Sequence, residues 1–136
     1  MLAMPLVFMN LSRNAVRDLT AKYKIDLDDL LVVCDDLDLE LSRMKIRKGG
    51  SSGGHRGLDS VISSLGSDSF ARLRIGIGRP PKGVDPADYV LSAFTKKENK
   101  QIGLTVERAV VCCEAWDNQG ITKAMNIFNK KEPKDE

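Results

Sequence analysis

A change of hydrophobic period across residues 43–58 constrains this chain more than any other feature. Met44 and Ile46 alternate with Arg43, Lys45 and Arg47, the period of two that makes a strand with one apolar and one cationic face. Gly49, Gly50, Gly53 and Gly54 follow, and then Leu58, Val61, Ile62 and Leu65 recur at helical spacing. A strand that passes through a glycine loop into a helix is an α/β arrangement. The loop delivers the chain to a helix N-terminus, where unpaired N–H groups and positive partial charge lie next to the cationic strand face. That combination suits phosphate. A plain tight connection is the competing reading, and the cations beside the loop favour binding over it. The loop is not a nucleotide P-loop, because no Gly-Lys-Ser or Gly-Lys-Thr follows.

Charge is segregated along the chain. The net charge is only +2, yet residues 26–40 hold seven acidic residues and no basic one, and Arg43, Lys45, Arg47 and Lys48 answer them directly. Such segregation points to a polyanion held on one side, with carboxylates nearby for chemistry. Those carboxylates end a continuous apolar run, Leu30, Leu31, Val32, Val33 and Cys34, which reads as a central strand covered on both faces. Asp35, Asp36 and Asp38 therefore stand at a strand terminus, where ligands sit in open α/β sheets. They read equally as turn and cap residues, and a divalent-metal reading is weak because no further ligand cluster is visible.

The remaining segments fill out a mixed sheet flanked by helices. Residues 2–8 read as a short buried strand, too short and wrongly flanked for a signal peptide or a membrane span. Asn10 suits the cap of a helix whose apolar face is Leu11, Ala15, Val16, Leu19 and Tyr23. Residues 71–78 alternate again, with Leu73, Ile75 and Ile77 on one side and Arg72, Arg74 and Gly76 on the other, so a shared sheet face would make a continuous basic surface. Residues 89–94 form a short apolar stretch. A long amphipathic helix from Thr95 carries Ile102, Val106, Ala109, Val110, Cys113 and Trp116, with Trp116 in the core, and Gly120 ends it. A last short helix spans residues 121–128, and 129–136 read as a polar, frayed tail. Cys34, Cys112 and Cys113 have no metal or disulfide spacing, which suggests a reducing compartment and packing roles.

Several of these segments together resemble the bacterial-type peptidyl-tRNA hydrolase family, in its order and at its spacing. They are Phe8-Met9-Asn10-Leu11-Ser12, Asp35-Asp36-Leu37-Asp38-Leu39, Gly49-Gly50-Ser51-Ser52-Gly53-Gly54-His55 with Gly57-Leu58, and Arg72-Leu73-Arg74-Ile75-Gly76-Ile77-Gly78. The resemblance implies a single peptidyl-tRNA hydrolase-like α/β domain over residues 1–128, with 129–136 outside it. It implies hydrolysis of the ester joining a peptide to tRNA, as part of tRNA recycling in translation, by a cytoplasmic monomer with no metal, cofactor or membrane contact.

The resemblance also implies residue roles. Asp35 matches the aspartate that orients and stabilises a basic histidine, and Asn10 lies beside that centre. Phe8 and Asn10 match substrate contacts, and Gly53, Gly54, His55, Arg56, Arg47 and Lys48 fall where tRNA is bound. Two departures stand out. The family opens with a strand, a Gly-Asn-Pro-Gly turn and a segment supplying the catalytic histidine, and this sequence is expected to be a member truncated before them. Its single histidine, His55, matches a different position. Arg56 replaces an asparagine, exchanging a neutral donor and acceptor for a fixed cation. The chain as written is accordingly expected to turn over peptidyl-tRNA poorly, and the alternatives are a non-catalytic tRNA- or RNA-binding relative and an inactive fragment.

Overall fold

The computed structural model describes residues 12–79, 82–83 and 95–129. The expected strand over 2–8, Phe8, Asn10 and the stretch 89–94 lie outside the described residues. In chain order the elements are α1 (Ser12–Lys22), a short 3-10 turn (Leu27–Asp29), β1 (Leu31–Asp36), β2 (Met44–Arg47), α2 (Arg56–Leu65), β3 (Ala71–Gly76), α3 (Lys96–Gln119) and α4 (Ile121–Phe128). The sheet is mixed, and its described strands run in the order β1-β3-β2. Two compact units make up the chain, 1–32 with 48–71 and 33–47 with 72–136.

In the first unit, α1 packs on α2. Leu58 and Val61 are buried and Ile62 and Leu65 half-buried, on the face that the spacing of the α2 residues predicts, and Phe70 is buried beyond the helix. Gly66 ends α2 in the left-handed conformation at φ 70°, its N–H bonded to the Ile62 carbonyl. Tyr23 corrects the face read for α1: it follows the helix, is exposed, and its ring lies 5.4 Å from the Lys22 ammonium nitrogen.

The second unit is built on the β2–β3 ladder. The strands pair antiparallel with Met44 opposite Ile75, Lys45 opposite Arg74, Ile46 opposite Leu73 and Arg47 opposite Arg72. Directly opposed residues share a face, so Met44, Ile46, Leu73 and Ile75 make one side and the four cations the other. The apolar side supplies the core, since α4 packs on both β2 and α3. Ile46, Leu73, Ala124 and Cys112 are fully buried, and Phe128 nearly so. Removing a side chain such as Ile46 or Phe128 from water stabilises the fold by about 1.5–3 kcal/mol.

Three expectations change here. Among the described strands β3 holds the middle place and β1 an end, and Val33 is 51% exposed, so the apolar run 30–34 is not covered on both faces. An unbroken apolar run reports composition, and composition alone does not say how many neighbours a strand has. The buried face of α3 is Thr105, Ala109, Cys112 and Ala115, while Val106 and Val110 are about half exposed and Trp116 is half-buried. The buried face is thus made of small side chains, and the larger valines lie off it. Asn129 is not part of a frayed tail: it is half-buried and hydrogen-bonded to β2.

Thr95 caps α3 as its position predicts, through a reciprocal pair in which Glu98 N–H donates to the Thr95 hydroxyl and Thr95 N–H donates to the Glu98 carboxylate. No helix of the described residues is long and apolar enough to cross a membrane.

Candidate nucleic-acid interface

The cationic ladder face comes directly from the register. Lys45 with Arg74, and Arg47 with Arg72, are like charges placed directly opposite, an arrangement that costs stability unless an anion answers it. Asp36 supplies part of that answer. Its Oδ2 lies 3.6 Å from Arg74 Nη1, and its Oδ1 accepts the Asp38 N–H at 2.8 Å. The same carboxylate therefore ties the turn after β1 to the middle strand.

The four cations differ in access, which corrects the continuous basic surface expected from alternation. Arg72 is fully buried and the Arg74 side chain is 20% exposed, whereas Lys45 is half-buried and Arg47 exposed. Lys45 and Arg47 are the members of the ladder that solvent reaches most freely. At the far end of β3, residues 39–43 lie close against Gly76 and Gly78. Gly76 N–H donates to the Arg43 carbonyl at 2.8 Å, and Gly78 N–H to the Leu39 carbonyl at 2.8 Å. A Cβ at Gly76 would lie 2.1 Å from the Glu40 carbonyl oxygen, so only glycine admits this close approach of backbone.

The acidic end of β1 divides by strand alternation. Cys34 and Asp36 share one face with Arg74, and Asp35 projects from the opposite one. Asp35, singled out by resemblance, is half-buried at the strand's end; Asp36, which the sequence leaves evenly between a site carboxylate and a turn residue, pairs with Arg74. Its signal was present in the two-residue spacing from Cys34 and the opposite sign of the β3 side chains. Asp38 pairs with Arg79, and no group of three possible metal ligands occurs among the described residues. Burial pushes the Cys34 thiol up to about 11, against the lowering effect of Arg74 and with Asp35 and Asp36 adding to the rise. Burial likewise raises Cys112 to about 11, and Cys113 is raised as well. All three thiols stay protonated near neutral pH and are poor nucleophiles.

The glycine loop belongs to the first unit. Gly50, Gly53 and Gly54 all have positive φ, at 120°, 63° and 87°, conformations that β-carbons disfavour. Gly50 N–H donates to the Asp68 carbonyl and Gly54 N–H to the buried Ser52 hydroxyl, which fixes the loop at both ends. Lys48, Gly53, Gly54 and Arg56 are exposed. His55 is the cap of α2: its Nδ1 accepts the Leu58 N–H at 3.0 Å while its backbone stays extended at φ −73°, ψ 115°. A neutral imidazole has one nitrogen with a lone pair, and here that nitrogen is Nδ1, committed to the helix. The ring proton of the neutral form therefore sits on Nε2. Taking up a second proton would sacrifice the cap, which argues against His55 as a general base.

Lys48, Gly53, Gly54, His55 and Arg56 thus gather in one unit, and Asp35 and Arg47 belong to the other. The sequence pattern of the peptidyl-tRNA hydrolase family matches residues 1–136. The chain is 44% identical over 125 residues to the peptidyl-tRNA hydrolase of Bacillus cytotoxicus, an alignment covering 92% of this chain and 67% of the relative. With the enzyme of Lachnoclostridium phytofermentans it shares 44% over 131 residues, covering 96% of this chain and 69% of the other. The crystal structure of peptidyl-tRNA hydrolase from Acinetobacter baumannii superposes with a TM-score of 0.86 at 28% identity, covering 95% of this chain and 65% of that one. The chain thus spans about two thirds of the length of these relatives. The ordered motifs, the mixed sheet and the match along the whole sequence place this chain in the peptidyl-tRNA hydrolase family.

Proposed function

We propose that this protein acts in hydrolysis of the ester bond of peptidyl-tRNA, releasing peptide and free tRNA, and that Lys45, Arg47, Lys48 and Arg56 attract the tRNA backbone. The β2–β3 register carries the binding part of this reading, because it gathers four cations on one face and leaves Lys45 and Arg47 the more accessible of them. Such a face favours a polyanion and disfavours neutral ligands. Gly53, Gly54 and His55 present the start of α2 to the same class of ligand. Asp35 takes the role of orienting a basic histidine, with Phe8 and Asn10 contacting substrate. His55 serves the tRNA side, and the base is a group other than His55. A cytoplasmic monomer whose domain spans 1–128 completes the reading, with Asn129 added to that domain by its bonds to Ile46. The relatives above are named as hydrolases, which favours the catalytic reading over a non-catalytic RNA-binding one.

Binding of tRNA measured across a salt series tests the proposal. Affinity is expected to fall by roughly one decade per decade of salt for each phosphate neutralised. Arg47→Ala combined with Lys48→Ala is expected to weaken binding and flatten that slope by about two contacts. Binding that ignores salt, or a slope unchanged in the double variant, rejects the assignment of these residues.

A further inference from the structure

Ile46 turns its backbone N–H and C=O away from β3. Gly76 N–H bonds to the Arg43 carbonyl, which marks Arg43 and Gly76 as a hydrogen-bonded pair of the antiparallel ladder. Such pairs alternate, so Lys45 with Arg74 and Arg47 with Arg72 exchange hydrogen bonds, and Ile46 with Leu73 does not. The Ile46 peptide groups consequently face the outer side of β2, the end strand of the described sheet. Asn129 meets both of them. Its Oδ1 accepts the Ile46 N–H at 2.8 Å and its Nδ2 donates to the Ile46 carbonyl at 2.9 Å. One side-chain amide reproduces the pair of bonds that a residue of a neighbouring strand would make. Asn129 is itself anchored as the C-cap of α4, its N–H on the Met125 carbonyl, and α4 is held by Phe128 and Ala124 in the core.

We infer that Asn129 is a positioning residue for the anion-binding face: its amide clamps the outer edge of β2 at Ile46, and so fixes Lys45 and Arg47, one residue to either side, in register with Arg74 and Arg72. With the clamp closed, β2 is bonded on both edges at successive residues and its two accessible cations stand about 7 Å apart along one face. With it open, Ile46 keeps its buried side chain but β2 frays outward, and tRNA meets an ensemble in which only a fraction of strands present both cations. Apparent affinity then falls by that fraction. This inference rests on the tRNA-binding reading of Lys45 and Arg47 given above.

The test compares tRNA binding and amide exchange at Ile46 in four variants. Asn129→Ala and Asn129→Leu, the second with the same branched heavy-atom skeleton, remove the paired amide; Phe128→Leu weakens the seating of α4 and leaves the amide; Lys45→Ala with Arg47→Ala removes the charges. Both Asn129 variants are expected to release the Ile46 amide to exchange and shift its NMR signal, and to weaken tRNA binding about three- to tenfold with the salt slope unchanged. Phe128→Leu is expected to lower Tm while Ile46 stays protected and affinity stays near the parent's. Unaltered affinity in Asn129→Leu with Ile46 exchanging freely, continued protection of Ile46 in that variant, or an equal affinity loss in Phe128→Leu overturns the positioning role. Unaltered binding in the Lys45→Ala, Arg47→Ala variant overturns the underlying reading instead, and is distinguishable because the exchange result at Ile46 stands independently of it.

Discussion

His55 is the residue at which cap and catalyst make opposite demands, and two substitutions separate them. The bond from Leu58 N–H to His55 Nδ1 is 3.0 Å and partly buried, and Leu58 is itself 1% exposed. His55→Ala would leave that amide without its partner in a place water reaches poorly, so the cost belongs in the upper part of the usual capping range, about 1–2 kcal/mol. Unfolding entropy of about 2.1 cal/mol/K per residue gives roughly 0.29 kcal/mol/K for 136 residues. The expected fall in Tm is then about 3–7 °C. His55→Asn replaces the imidazole with one of the best capping side chains and is expected to keep Tm within about 1–2 °C of the parent.

Asparagine caps a helix but has no basic nitrogen, and this gives the pair its power. If His55 serves as general base, both variants lose about 10²–10⁴ in the turnover of an N-blocked peptidyl-tRNA, whatever their stability. If its nitrogen is committed to α2, His55→Asn keeps turnover within severalfold of the parent, and the main change is in tRNA affinity. Thermal melts, tRNA titration and hydrolysis of one diagnostic peptidyl-tRNA suffice. A hundredfold loss of turnover in a His55→Asn protein of parental Tm would refute the capping argument, as would an unchanged Tm in His55→Ala.

Two further outcomes follow from buried features of the second unit. Gly76→Ala places a Cβ against backbone, 2.1 Å from the Glu40 carbonyl oxygen and 2.8 Å from the Leu39 carbonyl oxygen, neither of which can swing aside; a loss of at least about 1–3 kcal/mol by denaturant titration is expected, and a neutral result would mean that residues 39–43 do not lie against β3 there. Cys34 and Cys112 titrate near 11 in the folded chain against an ordinary value of 9.0, so the folded state holds protons that the unfolded state has released. Their contribution to stability is complete below pH 9 and disappears as the pH rises towards about 11. The Tm of the parent should therefore fall more steeply over that window than that of Cys34→Ala with Cys112→Ala, and parallel slopes would show that the thiols are not buried as described.

The cationic face was legible because it depends on period alone. Alternation at Met44, Lys45, Ile46 and Arg47, and again at Arg72, Leu73, Arg74 and Ile75, is enough to say that cations share a face if the strands pair, and the observed register pairs them. What alternation leaves open is which cation solvent reaches, because access depends on what packs around each strand. Arg72 is buried and Arg47 exposed, although the two are direct partners. The close approach of residues 39–43 could be anticipated only at Gly76, the one position on that side of β3 without a side chain. Helix faces failed for a related reason. Hydrophobicity selects Val106 and Val110 of α3, whereas the buried face is Ala109, Cys112 and Ala115, because close packing is decided by volume. Asn129 lay beyond either signal: a polar residue after a helix reads as the beginning of a tail, and its two bonds join residues 83 apart in sequence. The residues hardest to read from the chain were therefore those whose partners are backbone groups, Asn129 on Ile46 and Gly76 under Glu40. Both act on the placement of β2 and β3, and through them on where the legible cations stand.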